Sequence, residues 1–439
     1  MSRIAQISAA LPFRDPNALS VGEVQAFLAQ LVAPLVLTLQ SDVPLNDSLG
    51  RVLAQDVICP FNVPPHDNSA MDGFAFDGAV LANATGELEL RVVGTALAGA
   101  AWRGRVDSGD AIRIMTGAMM PAGLDTVVPQ ELCTVGGGTV RFPAPSLRRG
   151  ENRRLAGEDL RRGLPAMHRG DLITPAALGL LASLGLPRAP VLRRLRVAYF
   201  STGDEILCPG DAPREGAVYD SNRYTVFGLL TRLGCEVIDF GLVRDEPVAL
   251  EAALRGAANA ADVVITSGGV SVGEADHTRA VMQRLGDMAF WGVAMRPGRP
   301  MAVGLIPGAP SGSDRSTHDT AVLFGLPGNP VAVMVSFLAF VRPALLRMMG
   351  CNAAAAAPAP LLRARSVGAI RKKVGRTEYQ RGFVRRMPGA LPEVRIAGNQ
   401  GSGVLSSMVE ANGLVVLHHD QGQVEAGEEV DVMMFDGAI

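Results

Sequence analysis

Between residues 191 and 349 the chain alternates short β-prone runs with stretches of helical length, and this rhythm constrains the fold more than any other feature of the sequence. Residues 195–200, 236–242, 262–266, 289–294, 301–305 and 321–325 read as strands, and 220–233, 246–260, 276–285 and 330–349 read as helices. Strands separated by helices of this length require right-handed crossovers and a mostly parallel sheet covered on both faces. Ligands of such a sheet bind beyond the carboxyl ends of its strands.

The flanking segments follow other patterns. Residues 20–40 suit a helix and its exit. Residues 88–93, 111–115, 126–129 and 139–142 are short β-prone runs separated by Gly and Pro, which read as a compact β-rich module. An arginine-heavy stretch at 148–169 leads to an Ala- and Leu-rich helix at 174–186. After a poly-Ala linker at 351–360, residues 361–439 carry period-two runs punctuated by Gly, as in a small β-domain. The expected architecture is an α/β multidomain chain. A mixed N-terminal lobe (1–58 with 141–190) carries an inserted β-rich domain (59–140), followed by an α/β domain (191–350) and a C-terminal β-domain (361–439).

Composition narrows the function. The 439 residues hold 41 basic and 43 acidic side chains, so the chain has no overall field for wrapping nucleic acid or coating an anionic membrane. Five widely spaced cysteines and six histidines offer neither a CxxC pair nor an HExxH helix, and a reducing compartment is the simplest reading. The longest apolar run, 331–341, is 11 residues against the roughly 20 of a membrane span, and the start of the chain lacks a signal-peptide pattern, so a cytoplasmic protein is expected. Locally the charge is uneven: residues 361–395 hold ten bases against two acids, and 410–439 hold seven acids and no base. The basic stretch lacks the interleaved aromatics that would stack nucleic acid bases. Only Lys372 and Lys373 of the 41 basic residues are lysine.

The positions after the expected strands are loaded with chemistry. Ser201–Thr202–Gly203–Asp204–Glu205 follow the first strand, Arg244 and Asp245 the second, and the 267–276 loop the third. That loop offers Ser267, Gly268, Gly269, Ser271 and Gly273 ahead of a helix, a set whose backbone N–H groups suit an anion such as phosphate. It is neither a Walker A nor a GxGxxG sequence. Glu205, Asp245 and Asp276 would gather negative charge beside that anion, a conflict that a magnesium ion held by carboxylates and ligand phosphates resolves. Arg296 and Arg299, on either side of Pro297 and Gly298, form a rigid cationic turn suited to oxyanion capture, or a surface hairpin. Asp276 also fits a helix N-cap, and Asn329 with Pro330 fits a cap followed by proline at the first helical position. In the N-terminal half, 64–74 and 116–118 are polar and turn-prone, and spacing alone does not distinguish caps from ligand contacts there.

Taken in order, the runs 67–73 (DNSAMDG), 113–118 (RIMTGA), 157–159 (GED), 201–205 (STGDE), 219–223 (YDSNR), 267–276 and 326–330 (LPGNP) resemble the molybdopterin molybdenumtransferases of the MoeA type, related to the E-domain of gephyrin. The similarity extends to Gln380–Arg381–Gly382 and Gly401–Ser402–Gly403. It implies a molybdopterin-binding α/β domain at 191–350 and a magnesium-dependent enzyme that takes adenylylated molybdopterin and molybdate, cleaves the adenylate, releases AMP and leaves molybdenum on the pterin dithiolene. It further implies a homodimer whose cleft is shared between subunits. Glu205, Asp245 and Asp276 would then serve the metal and phosphate region, and Asp67 and Thr116 would come from the partner. Pro327 and Pro330 would shape the cleft, and Arg296 and Arg299 would attract oxyanions.

The substrate brings its own sulfurs, so scarce cysteine fits this reading. The family often has lysines where Arg296 and Arg299 stand, and residues 308–320 read as an added polar loop. A tungstate-using insertase shares every motif, and a non-catalytic pterin-binding scaffold is the alternative of another class. The basic 361–395 segment is a candidate docking face for a preceding molybdopterin adenylyltransferase.

Overall fold

The computed structural model describes residues 1–11, 18–268, 277–308, 319–436 and 438. It divides into two compact units. One comprises Met1–Gln55, Arg169–Gly179 and Pro187–Ile439, and the other Asp56–His168 with Leu180–Leu186.

The heart of the first unit is a six-stranded sheet. Its strand order is Glu236–Val243, Arg196–Thr202, Val263–Ser267, Thr320–Leu326, Pro300–Pro307, Asp287–Gly292. The first four run parallel, and the last two pair antiparallel along one edge. Strand alternation sends successive side chains to opposite faces. Val197 and Tyr199, Val263 and Ile265, and Val322 and Phe324 pack with Val226, Leu229 and Leu230 of the helix Asn222–Arg232. On the other face Ala198, Phe200, Val264 and Leu323 meet Leu250, Leu254 and Ala257, spaced at helical period along Pro247–Ala260. Both faces are buried, which is why these strands read as continuous apolar runs rather than alternating ones.

The helical stretch from Pro330 to Met348 is long and apolar enough to cross a membrane, yet its apolar window is 78% buried, among the side chains that pack against this sheet. At the amino ends of the strands, Arg193 clasps Asp262 with two hydrogen bonds of 2.8 and 2.6 Å, and Asp262 also accepts from the Arg196 N–H.

In the same unit the C-terminal residues form a small closed barrel. Strands Thr377–Arg385, Glu393–Ile396, Leu361–Ser366, Glu429–Met434 and Gly413–Leu417 pair in that order, and the last returns to the first. Met295–Arg296 adds to it in parallel beside Thr377 and Glu378. Several bases of the 361–395 segment are spent on this barrel. Arg363 pairs with Glu429 and Asp431, and Arg376 with the buried Glu378. The Lys372 ammonium donates to the carbonyls of Lys373, His419 and Gln421. His418 Nε2 donates to Asp431 at 2.6 Å in an exposed pairing on the barrel surface.

The second unit is built on a six-stranded sheet in the order Thr126–Pro129, Gly73–Phe76, Asp110–Ile114, Glu87–Ala96, Thr139–Pro143, Thr134–Gly136. Phe74, Phe76, Val128 and Phe142 pack on one face, and Ala75, Ile112, Ile114 and Val127 on the other. The unit is larger than the 59–140 module the pattern predicts and also takes in 56–58, 141–168 and 180–186, all within the expected N-terminal lobe. Two-residue strands cause the difference: Val57–Ile58 pairs with Pro165–Met167, and Asn68–Ser69 pairs with Arg153–Arg154, binding the arginine-heavy return to the module.

Candidate active site

The carboxyl ends of the parallel strands open into a cavity of about 430 Å³. Thr202, Glu205 and Asp245 line one part of it, and Arg296, Arg299, Pro327 and Ser402 line others. All belong to the first unit.

Each side chain is placed by a local cause. Strand Arg196–Thr202 ends at the buried Thr202, whose hydroxyl donates to Asp245. Gly203 follows with φ +149°, and a Cβ there would sit 2.8 Å from the Glu205 carboxylate, which folds back against it. Gly268 opens the loop after the third parallel strand with φ +92°; a Cβ would lie 2.3 Å from the Thr202 carbonyl oxygen, so only glycine passes. Arg296 is held by strand pairing to the barrel, and the Val293 N–H fixes the turn by donating to the Arg299 carbonyl.

Among the described residues, Glu205 and Asp245 form no ion pair with a basic residue, and neither Arg296 nor Arg299 pairs with an acid. Among the described residues, the cavity thus carries two carboxylates and two guanidiniums without an ion-pair partner. No group of three or more His, Cys, Asp or Glu suited to a metal occurs among the described residues. Asp276, Gly269, Ser271 and Gly273, like most of the added 308–320 loop, lie outside those residues.

Several expected residues stand differently from the simplest reading. Ser267 is buried and does not line the cavity. Its hydroxyl meets Tyr199 Oη at 2.6 Å, and Tyr199 reaches Ser201 at 3.0 Å. The Gly268 N–H donates to the Leu326 carbonyl rather than facing outward. Pro327 walls the cavity, whereas Pro330 sits behind it at the first position of the helix Pro330–Ser336. Asn329 occupies the cap position, but its side chain makes no capping bond. The Val331 N–H is taken instead by the Ser402 carbonyl of the C-terminal residues.

Ser402 and Gln400 line the cavity without having been assigned a role from sequence, and so does Thr202. Gln400 also borders an adjoining space of about 280 Å³, shared with Arg296 and Arg381. Arg381 is 1% exposed and donates to the carbonyls of Asn399 and Gly401 and to Ser407 Oγ, with no carboxylate partner among the described residues. Burial, and then the neighbouring Arg296 charge, lowers its pKa from the ordinary guanidinium value. The signal was present in Gln380–Arg381–Gly382 and Gly401–Ser402–Gly403, but no local rule gives those tripeptides a role.

The second unit brings together the motifs of the N-terminal half. Gly73 pairs with Ile114, and the Gly117 N–H donates to the Ser69 carbonyl. Thr116 donates through both its N–H and its hydroxyl to Asp72, each at 2.7 Å, and these bonds, the backbone one foremost, hold the Asp72 carboxyl below its usual range. Asp67 accepts from the Ala156 N–H at 2.8 Å and lies 3.5 Å from Arg153, just ahead of the 157–159 motif, whose Gly157 N–H donates to the Pro64 carbonyl.

A mostly parallel sheet with a charged cavity at its carboxyl edge, bordered by residues of a small β-barrel, defines a multidomain α/β protein whose ligand site lies at the strand ends. Three family models match in order: the MoeA N-terminal region (domains I and II) at residues 19–185, a probable molybdopterin binding domain at 198–347, and the MoeA C-terminal region (domain IV) at 363–435. The chain is 40% identical over 396 residues to the molybdopterin molybdenumtransferase of Haemophilus influenzae, covering 89% of this chain and 93% of that one. It is 35% identical over 387 residues to the enzyme of that name from Nostoc, covering 88% and 86%. The solved molybdopterin biosynthesis MoeA protein of Pyrococcus horikoshii superposes with a TM-score of 0.75 at 25% identity, over 95% of this chain and all of that one. The chain belongs to the molybdopterin molybdenumtransferase family of the MoeA type.

Proposed function

We propose that the protein inserts molybdenum from molybdate into adenylylated molybdopterin, with magnesium-dependent cleavage of the adenylate and release of AMP, as a cytoplasmic step of molybdenum cofactor biosynthesis. The observation that carries this reading is the gathering, in one cavity, of the carboxylates of Glu205 and Asp245 with the guanidiniums of Arg296 and Arg299, none of them in an ion pair among the described residues. Magnesium fits the acid side, because it is commonly held by one or two carboxylates with substrate phosphates and waters completing its shell. Held by Glu205 and Asp245, the ion would supply charge neutralisation at the pyrophosphate linkage and polarisation of its phosphorus.

The chain's own groups do the rest. Glu205 and Asp245 orient the cation side of the substrate. Arg296 and Arg299 supply fixed donors that hold the oxyanion without needing a proton removed, since guanidinium stays charged at neutral pH. Pro327 gives one wall a rigid surface. The dithiolene sulfurs come with the substrate, so the five free cysteines have no part in the chemistry.

The deciding experiment is AMP release from adenylylated molybdopterin, with molybdate and magnesium added or withheld. Release that needs both agents supports the reading, and release indifferent to magnesium overturns it.

We propose further that the working form is a homodimer in which Asp67 and Thr116 of one copy complete the cavity of the other. Mixing Asp67→Ala and Asp276→Ala chains is expected to restore about a quarter of wild-type AMP release if copies pair at random. Mixed samples as inactive as either parent would refute the shared site.

A further inference from the structure

We infer that Thr202 is a positioning residue that holds Asp245 and the start of the glycine loop in register, an inference that rests on the magnesium reading above. Thr202 ends the strand Arg196–Thr202, is 3% exposed and lines the cavity. It acts at three points. Its hydroxyl donates to Asp245 Oδ1, the only hydrogen bond that Asp245 makes among the described residues, leaving Oδ2 without a protein partner. Its carbonyl oxygen abuts Gly268, close enough that a Cβ there would stand 2.3 Å away. Its own chain continues through Gly203 to Glu205, whose carboxylate lies back on Gly203.

One residue therefore links the two cavity acids to Gly268 at the start of the glycine loop, its side chain reaching Asp245 and its backbone the other two. The hydroxyl has a single proton to give, and giving it to Oδ1 fixes the rotation of the Asp245 carboxylate. A carboxylate free to rotate would lose affinity for a cation, and loss of such an outer hydrogen bond typically weakens metal binding about 10–100-fold. The 201–205 run marks the position in the sequence, but no local pattern shows the bond, whose partner lies 43 residues away.

The test uses the full chain with Mn²⁺ as a paramagnetic stand-in for magnesium, in the presence of AMP, with free Mn²⁺ read by electron paramagnetic resonance. Thr202→Val keeps the shape and removes the donor, and it is expected to weaken Mn²⁺ binding about 10–100-fold. Thr202→Ser keeps the donor and should bind within about threefold of wild type. In an Asp245→Ala background Thr202→Val should add no further loss, because two residues acting through one contact are not additive.

Thr202→Ala provides a second donor-free variant, so an unfolded Thr202→Val leaves the comparison intact. Wild-type affinity in the folded donor-free variants, or a full additional loss in the Asp245→Ala background, overturns the positioning role alone. No Mn²⁺ binding by the wild-type protein overturns the magnesium reading, and this inference with it.

Discussion

Glu205→Ala is expected to lower magnesium-dependent AMP release by on the order of 10³-fold while leaving the melting temperature unchanged. Polarisation of a phosphoryl group by a metal supplies several kcal/mol, and each 1.36 kcal/mol is about tenfold in rate, which sets that magnitude. The fold should not notice. Glu205 is exposed, makes no ion pair among the described residues, and contributes only its backbone carbonyl to the local structure, accepting from Val218. Raising the magnesium concentration should recover part of the rate, since Asp245 remains. An alanine variant that releases AMP within tenfold of wild type at limiting magnesium would remove Glu205 from the proposed magnesium site.

The largest stability effect is expected at the opposite ends of the strands. Asp262→Ala should cost about 3–5 kcal/mol, because it strands a buried guanidinium. Arg193 and Asp262 are 14% and 7% exposed and joined bidentately, while Asp262 also satisfies the Arg196 N–H at the start of the neighbouring strand. Removing the carboxylate leaves Arg193 charged, with its Nε already lacking a partner. Denaturant unfolding would show the loss as a lower midpoint, and a change below about 1 kcal/mol would mean that water reaches the guanidinium. AMP release at room temperature should persist in the folded fraction, since this clasp lies away from the cavity.

Much of the fold was legible because the α/β sheet is buried on both faces and leaves long apolar runs. The strand Thr126–Pro129 falls where its β-branched pattern places it, and Glu236–Val243 extends the expected run by one residue. Glu205, Asp245, Arg296 and Arg299 were found together because strand ends in a parallel sheet share one edge. What was not legible depends on distant partners. Ser267 continues the alternation of Val263 and Ile265, so its hydroxyl turns to Tyr199 under the sheet rather than to the ligand.

The Pro330–Ser336 helix looked self-capped by Asn329, but the bond comes from Ser402, far along the chain. The second unit's boundary rests on two-residue strands too short to leave a pattern. The antiparallel edge follows from the seven residues between Gly292 and Pro300, too few for a crossover.

Lys372 shows where the chain's preference for arginine stops. Its nitrogen sits among three carbonyl oxygens, a compact pyramid of acceptors that a tetrahedral ammonium satisfies proton by proton. A guanidinium is flat and wider, and turned into that space it could serve the acceptors only by prising them apart. Whatever favours arginine elsewhere, the geometry of one small barrel keeps this residue outside that rule, so side-chain identity here is a measure of shape rather than of charge.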